Sequence, residues 1–117
     1  MSAGESEPVG TVEAKDLTLF QQNILFVLAE TEGLQDYGLG IKEELEAHYG
    51  ETVGHGRLYP NLDDLIELGL VAKSERDRRT NDYRLTDAGK ELLVDDAMRR
   101  AGIVTEFKDD VRGGDRP

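Results

Sequence analysis

The chain of 117 residues carries 25 acidic and 14 basic side chains, a formal net charge of −11, and no cysteine. That length suits one domain with a modest core, and without cysteine there are no disulfides, thiolate metal sites or thiol-based redox chemistry. No apolar run approaches the roughly 20 residues needed to cross a bilayer and the N-terminus has no apolar signal core, so a soluble, cytoplasmic protein is expected.

The charge also bears on the solvent. A small domain usually carries a net charge of about 2 to 8 in magnitude, and crowded carboxylates repel one another at ordinary ionic strength. At about 1 M salt the Debye length falls to about 3 Å and that repulsion is screened. A hypersaline cytoplasm, and hence a halophilic protein, is the most economical explanation. The acidic residues are spread along the chain, which argues against one acidic docking face for a basic partner.

Residues 1–15 are polar, hold two glycines and a proline, and have no helical period, so they read as a mobile arm. Asp16 or Thr18 then caps a helix that runs to about Thr31. Its apolar positions (Leu17, Leu19, Phe20, Ile24, Leu25, Phe26, Val27, Leu28 and Ala29) exceed the single stripe of a helix facing one core. Two buried faces are expected, one for the chain's own core and one for a partner, with Leu17, Phe20 and Ile24 at a dimer interface. Gly33 and Gly38-Leu39-Gly40 punctuate the following loop. Residues 41–49 read as a short helix with Ile41, Leu45 and Tyr49 on one face, and Gly50 to Gly54 supply a turn.

The stretch from Gly54 to Thr86 organises the rest. Leu58, Leu62, Leu65, Ile66 and Leu68 recur at the steps of one helical face. Gly69 stops that helix, because glycine takes the left-handed cap conformation cheaply. Leu70, Val71 and Ala72 open an extended segment, Tyr83 and Leu85 lie on a second, and SERDRRTND between them is a polar turn. Helix, short strand, basic turn and returning strand outline a winged helix-turn-helix, with a helix for a major groove beside a loop for a minor one. Pro60 leaves two solutions, since inside a helix it forfeits a hydrogen bond and clashes with the carbonyl four residues back. The helix starts at Pro60, or it starts near His55 with a bend tolerated because the residue four back is Gly56.

Charge along this stretch supports the outline. Between Gly54 and Arg84 six basic residues balance six acidic ones, so the other residues, eight basic and nineteen acidic, hold the whole excess. From Lys73 to Arg84 the balance is five basic to three acidic. A phosphate backbone is the obvious reason to keep one segment basic in an acidic chain. The bland alternative is a polar hairpin tip that attracts charged residues of either sign.

After the wing, Thr86 is a good N-cap with Asp87 in the first turn. The helix runs through Leu92, Leu93, Val94, Ala97 and Met98, and Gly102 either ends it or is tolerated within it. Ile103, Phe107 and Val111 form a four-residue stripe that carries a helix to about Arg112. Such a stripe on a small domain implies self-association, so Met98, Ile103 and Phe107 join the expected interface. The expected fold is mainly α with a small β-hairpin, an α+β winged helix-turn-helix with terminal dimerisation helices. Residues 16–112 form the domain and residues 113–117 a loose tail.

GRLYPNLDDLIELGLV resembles the recognition helix of PadR-type transcriptional regulators, a Gly-x-Leu-Tyr-Pro run followed by paired leucines and Gly-Leu-Ile/Val. NDYRLTDAGKELL resembles the returning strand and following helix of that family, with its Tyr-x-Leu-Thr-x-x-Gly pattern. The similarity covers roughly residues 17–93. Arg57 departs from it, standing where the family commonly has a small hydroxyl residue. The resemblance favours the helix that starts near His55. Taken with the acidic balance, which points to a haloarchaeal member of the family, it implies a place in the response to reactive oxygen species.

Enzymatic chemistry has little to work with. Glu44 with His48, and Glu51 with His55, have helical spacing for a metal, but each pair is only two ligands. There is no Gly-rich phosphate loop after a strand and no nucleophile elbow. No enzyme, no metal and no cofactor is expected. The expected partner is double-stranded DNA bearing an inverted repeat, bound by a homodimer, with no membrane. Arg57 and Asn61 suit base edges, arginine for guanine and asparagine for adenine. His55 and Tyr59 would flank them at phosphate, and Arg78 and Arg79 at the wing tip would enter a narrowed minor groove. Lys73, Arg76, Asn81 and Tyr83 would hold the backbone, although Tyr59 and Tyr83 suit a core position as well as a phosphate contact. The alternatives are a winged-helix protein-interaction module without DNA contact and an ion- or small-molecule-responsive switch.

The composition makes a prediction about salt. Two subunits would bring about 22 net negative charges, twice the formal value, toward a polyanion. Rising salt screens that repulsion while competing for phosphates. Affinity measured against potassium chloride, from dilute to multimolar, is expected to fall only weakly or pass through a maximum while the melting temperature rises. A steep monotonic loss of affinity with a flat melting temperature would contradict a salt adaptation.

Overall fold

The helix that begins at Leu19 is fixed by its first residues. Thr18 and Gln21 form a reciprocal capping box: the Thr18 hydroxyl accepts from the Gln21 N–H at 3.1 Å, and Gln21 Oε1 accepts from the Thr18 N–H at 3.1 Å. Of the two caps legible in the sequence, Thr18 is the one used. The computed structural model describes residues 12–112, and the rest of the expected arm and the tail at 113–117 lie outside the described residues. Residues 12–15 belong to the packed body. Val12 packs on the core, Ala14 is buried, and Ala14–Asp16 is a single 3-10 turn.

In chain order the elements are α1 (Leu19–Glu30), β1 (Gln35–Tyr37), α2 (Gly38–Tyr49), α3 (His55–Glu67), β2 (Val71–Asp77), β3 (Thr80–Leu85), α4 (Asp87–Thr105) and α5 (Lys108–Arg112). The architecture is mostly helical with a small antiparallel sheet of order β1-β3-β2. No helix among the described residues is long and apolar enough to cross a membrane.

Helix α1 is the centre of the core. It packs against α2, α3, α4 and the β1–β3 side of the sheet, and Ile24, Leu25 and Leu28 have no exposed surface. The surplus of apolar residues in this segment is therefore absorbed largely within the chain: Leu17, Phe20 and Ile24 all lie in the chain's own core. Only Leu19 and Phe26 among its large apolar side chains face outward. Ile41 and Leu45 of α2 and Leu58, Leu62 and Leu65 of α3 are likewise fully buried; of the stripe read from the sequence, Ile66 and Leu68 are half-buried.

Three features differ from the expectations. Gly38 and Gly40 are not loop punctuation; they form the first turn of α2 and are buried. A Cβ at Gly38 would collide with the Tyr59 hydroxyl, and one at Gly40 with the Asp36 carboxylate, so glycine is set here by close approach. The polar turn is also much shorter than the nine residues SERDRRTND, because β2 runs to Asp77 and β3 starts at Thr80. Cross-strand pairing, not burial, holds these polar residues extended, with Lys73 opposite Tyr83 and Ser74 opposite Asp82. Finally, β1 adds a third strand, Asp36 opposite Tyr83.

The junction between α3 and α4 is tight. Gly69 sits at φ +80° and closes α3, with the Leu70 N–H on the Leu65 carbonyl and the Gly69 N–H on the Ile66 carbonyl. The buried Thr86 hydroxyl donates to the Gly69 carbonyl at 2.6 Å and accepts from the Gly89 N–H at 3.0 Å, so one side chain ends α3 and starts α4. Further along α4, buried Asp96 accepts from Arg100 Nε at 2.7 Å and Arg99 at 3.0 Å, and these bonds hold its carboxyl below the usual range. Gly102 continues the helix, which breaks instead at Glu106 and Phe107 before α5.

Gly89 tests the junction. A Cβ there would meet the Leu70 carbonyl oxygen, a backbone atom with no rotamer to escape into. In an open helix, alanine would gain about 0.5–1 kcal/mol over glycine; here Gly89→Ala is expected to lose about 1–3 kcal/mol to overpacking. Urea unfolding in multimolar potassium chloride measures the sign. A stabilised variant would show that the two elements are not in contact as described.

Candidate nucleic-acid interface

The turn before α3 is built from backbone constraints. Gly50 caps α2 at φ +72°, and its N–H bonds the Glu46 carbonyl. The Glu46 carboxylate accepts from Lys42 Nζ at 2.7 Å and from the Val53 N–H at 2.9 Å, which lowers its pKa. Buried Val53 then anchors the turn in the core. The first turn of α3 has no side-chain cap: Gly54 is the N-cap, and the N–H groups of Arg57 and Leu58 both bond its carbonyl.

Helix α3 starts at His55 with Pro60 inside it, the second of the two solutions. The bond that proline forfeits would have gone to the Gly56 carbonyl, and Gly56 has open space around it. Leu58, Leu62 and Leu65 fix the buried face, which leaves His55, Gly56 and Arg57 exposed. The His55 and Tyr59 rings stack at 5.6 Å, 7° from parallel, with Tyr59 half-buried.

The two expected base-reading side chains differ in how they are held. The Arg57 guanidinium lies over the Phe20 ring, 3.9 Å from its centroid, and 5.7 Å from that of Tyr49. Asn61 is half-buried, and both ends of its amide are engaged. Its Nδ2 donates to the Arg57 carbonyl at 2.7 Å, and its Oδ1 accepts from Gln21 Nε2 at 3.0 Å. Gln21, 8% exposed, is thus both the capping-box partner of α1 and a tie to the middle of α3. The first role is legible in the pattern Thr18-x-x-Gln21; the second joins residues 40 apart and leaves no local mark.

On the wing, Arg78 and Arg79 are the two residues of the β2–β3 turn, and both are exposed. The Asp77 carboxylate accepts from the Arg79 N–H at 2.8 Å, pinning the turn, and that bond lowers its pKa. The ladder slips one register between Glu75 and Asp77, a bulge at Arg76 that increases the local twist. The Arg76 guanidinium pairs with Asp82, at 2.6 Å to Oδ1 and 3.2 Å from Nε to Oδ2, and lies 4.7 Å from the Tyr37 ring centroid. Arg76 thus ties β1, β2 and β3 together. Tyr83 is buried at the centre of the sheet, and that burial raises its phenol pKa. Lys73 and Asn81 are exposed along the hairpin.

The cations divide into two groups. Lys42, Arg76, Lys90, Arg99 and Arg100 each hold a carboxylate. Arg57, Lys73, Arg78, Arg79 and Arg112 form no ion pair among the described residues; the first four lie on α3 or on the hairpin whose strand β2 packs against it, and Arg112 ends α5. At the far end of the chain, every residue from Ala97 to Arg112 is exposed, including Met98, Ile103, Val104, Phe107 and Val111.

The fold has relatives among proteins of known structure. Halobacterium salinarum RosR, in the complex RosR-S1, is 52% identical over 86% of this chain and 97% of its own, with a TM-score of 0.68. RosR of the same organism from crystals grown in NaBr is 51% identical over 86% of this chain and 98% of its own, with a TM-score of 0.69. F93 from STIV, a winged-helix DNA-binding protein, is similar in fold at 18% identity, with a TM-score of 0.51 over 81% of this chain and 94% of its own. No curated protein sequence matches. The transcriptional regulator PadR-like family matches residues 24–95. With a winged helix and a family match spanning more than half its length, the chain belongs to the PadR-like family of transcriptional regulators.

Proposed function

We propose that the protein regulates transcription as a homodimer on promoter DNA with an inverted repeat, in a high-salt cytoplasm. One observation carries the reading: in a chain of net charge −11, Arg57, Lys73, Arg78 and Arg79, clustered on the α3 helix and the adjoining wing, have no carboxylate partner among the described residues. Lys42, Arg76, Lys90, Arg99 and Arg100 are neutralised by carboxylates, whereas a surface meant for phosphate keeps its donors open.

The contact surface is His55, Arg57, Tyr59 and Asn61 on α3, with Lys73, Arg76, Arg78, Arg79, Asn81 and Tyr83 on the hairpin. Within it the roles divide by what each side chain already holds. Arg57 reads a base edge, and Arg78 and Arg79 follow the minor groove. Lys73 and Asn81 meet the backbone, His55 flanks the helix start, and Tyr59, Asn61, Arg76 and Tyr83 shape the surface through the bonds and packing they make inside it. With no cysteine in the sequence, a reactive-oxygen signal would reach the protein by a route other than thiol oxidation.

The second copy docks on the exposed segment from Ala97 to Arg112. Its apolar side chains Met98, Ile103, Val104 and Phe107 are exposed among the described residues, and the radius of gyration of 16.6 Å exceeds the roughly 13 Å of a compact domain this size. Leu19 and Phe26 are the apolar positions α1 has left for the same purpose. A twofold pair places two α3 helices about 34 Å apart, on successive turns of one DNA face.

Binding to promoter fragments in molar salt tests the surface. Arg78→Ala with Arg79→Ala is expected to weaken binding to all sequences, by about tenfold or more, since these contacts carry little base information. Arg57→Ala is expected to change preference at one position by about 1–3 kcal/mol. Unchanged affinity in both variants, with the fold intact, would remove this surface from the account. For assembly, Ile103→Asp with Phe107→Asp is expected to raise the dimer dissociation constant about a hundredfold or more, read by sedimentation. An unmodified chain that sediments as a monomer at micromolar concentration would contradict the dimer.

A further inference from the structure

We infer that Phe20, on α1, is a positioning residue for base reading: its ring holds the Arg57 guanidinium flat with the N–H edge turned outward. The inference rests on the reading above, in which Arg57 meets a base edge.

Phe20 lies in the core with 5% of its surface exposed, and the Arg57 guanidinium lies over its ring. The central carbon of the guanidinium is 3.9 Å from the ring centroid, the contact distance of a cation laid on the ring face. No hydrogen bond or ion pair of that guanidinium is made among the described residues, so all five donors stay available. A bidentate contact to guanine needs an arginine presented edge-on, and the cost of ordering so flexible a side chain is reduced when a surface orders it in advance.

The platform is itself fixed. Tyr49 stacks beside Phe20 at 6.0 Å and 21°, and its hydroxyl accepts from Asn23 Nδ2 at 2.7 Å. One residue beyond Phe20, Gln21 bonds Asn61, one turn beyond Arg57. Consecutive side chains of α1 therefore address successive turns of α3, and the tie through Gln21 sets the height of Arg57 on the ring. Any small rotation of α1 moves the reading side chain with it.

The test is selection from randomised duplexes in molar potassium chloride, with folding verified for each variant by its melting transition. Arg57→Ala establishes which base pair Arg57 reads. Phe20→Leu, which keeps an apolar core side chain without a ring face, is expected to cut discrimination at that same pair at least fivefold. Its affinity for nonspecific DNA should stay within twofold, and Phe20→Tyr, which restores the face, should recover discrimination. In a double-mutant comparison Phe20→Leu should add nothing in the Arg57→Ala background. No change of preference with Arg57→Ala sinks the base-reading assignment. A change with Arg57→Ala but full discrimination in folded Phe20→Leu sinks the inference alone. In the unmodified protein, the Arg57 side-chain proton resonances should show an upfield ring-current shift that persists on DNA. Loss of that shift on binding would mean that Arg57 leaves the ring to read, and would overturn the proposal even if the Phe20 variants do not fold.

Discussion

Everything in this molecule depends on the burial of α1. Ile24, Leu25 and Leu28 are sealed from solvent because α2, α3, α4 and the sheet all close on one twelve-residue helix. Burying each such side chain stabilises the fold by about 1.5–3 kcal/mol, so a domain of this size gains much of its margin at this one helix. The orientation of α3 follows from it. Leu58, Leu62 and Leu65 can reach the same core only with His55, Gly56 and Arg57 turned to solvent, and Gln21 then fixes the rotation through Asn61. The helix that builds the core also aims the helix proposed to face DNA.

Electrostatics work within that frame. An acidic chain approaching a polyanion must concentrate attraction in a few places, and paired cations contribute little there. Most lysines and arginines of the body are spent on carboxylates one turn away, as in Lys42 with Glu46 or Arg100 with Asp96. The wing shows a division of labour within three residues. Arg76 is used to pin Asp82 and cover Tyr37, whereas Arg78 and Arg79 are carried past the last ladder pair and form no ion pair among the described residues. Charge counted along the segment treats these arginines alike; partners distinguish them.

Much of this was legible in the sequence, where local rules decide. The stripe at Leu58, Leu62 and Leu65, the stop at Gly69 and the caps at Thr18 and Thr86 each follow from contacts within a few residues. Three kinds of feature were not. β1 has only three residues, too few for an alternating pattern to show. Gly38 and Gly40 resemble loop breakers until Tyr59 and Asp36 are seen where their Cβ atoms would stand. The candidate site was found as a segment but not as a set of roles, because Asn61 with Gln21, Arg57 with Phe20 and Arg76 with Tyr37 join residues about forty apart. The apolar count of α1 misled for a related reason: a helix covered from several sides needs no partner to bury Leu17, Phe20 and Ile24.

The central claim is that α3 and the wing form one DNA-facing surface on an otherwise acidic body. Its most direct test is the map of backbone amide shifts when the isotope-labelled protein is titrated with a promoter duplex in molar potassium chloride. The account predicts changes concentrated at His55–Asn61 and Asp77–Asn81, with little at Glu43, Glu44 and His48 on the exposed side of α2. Changes centred on that side of α2, or spread evenly over the molecule, would contradict it.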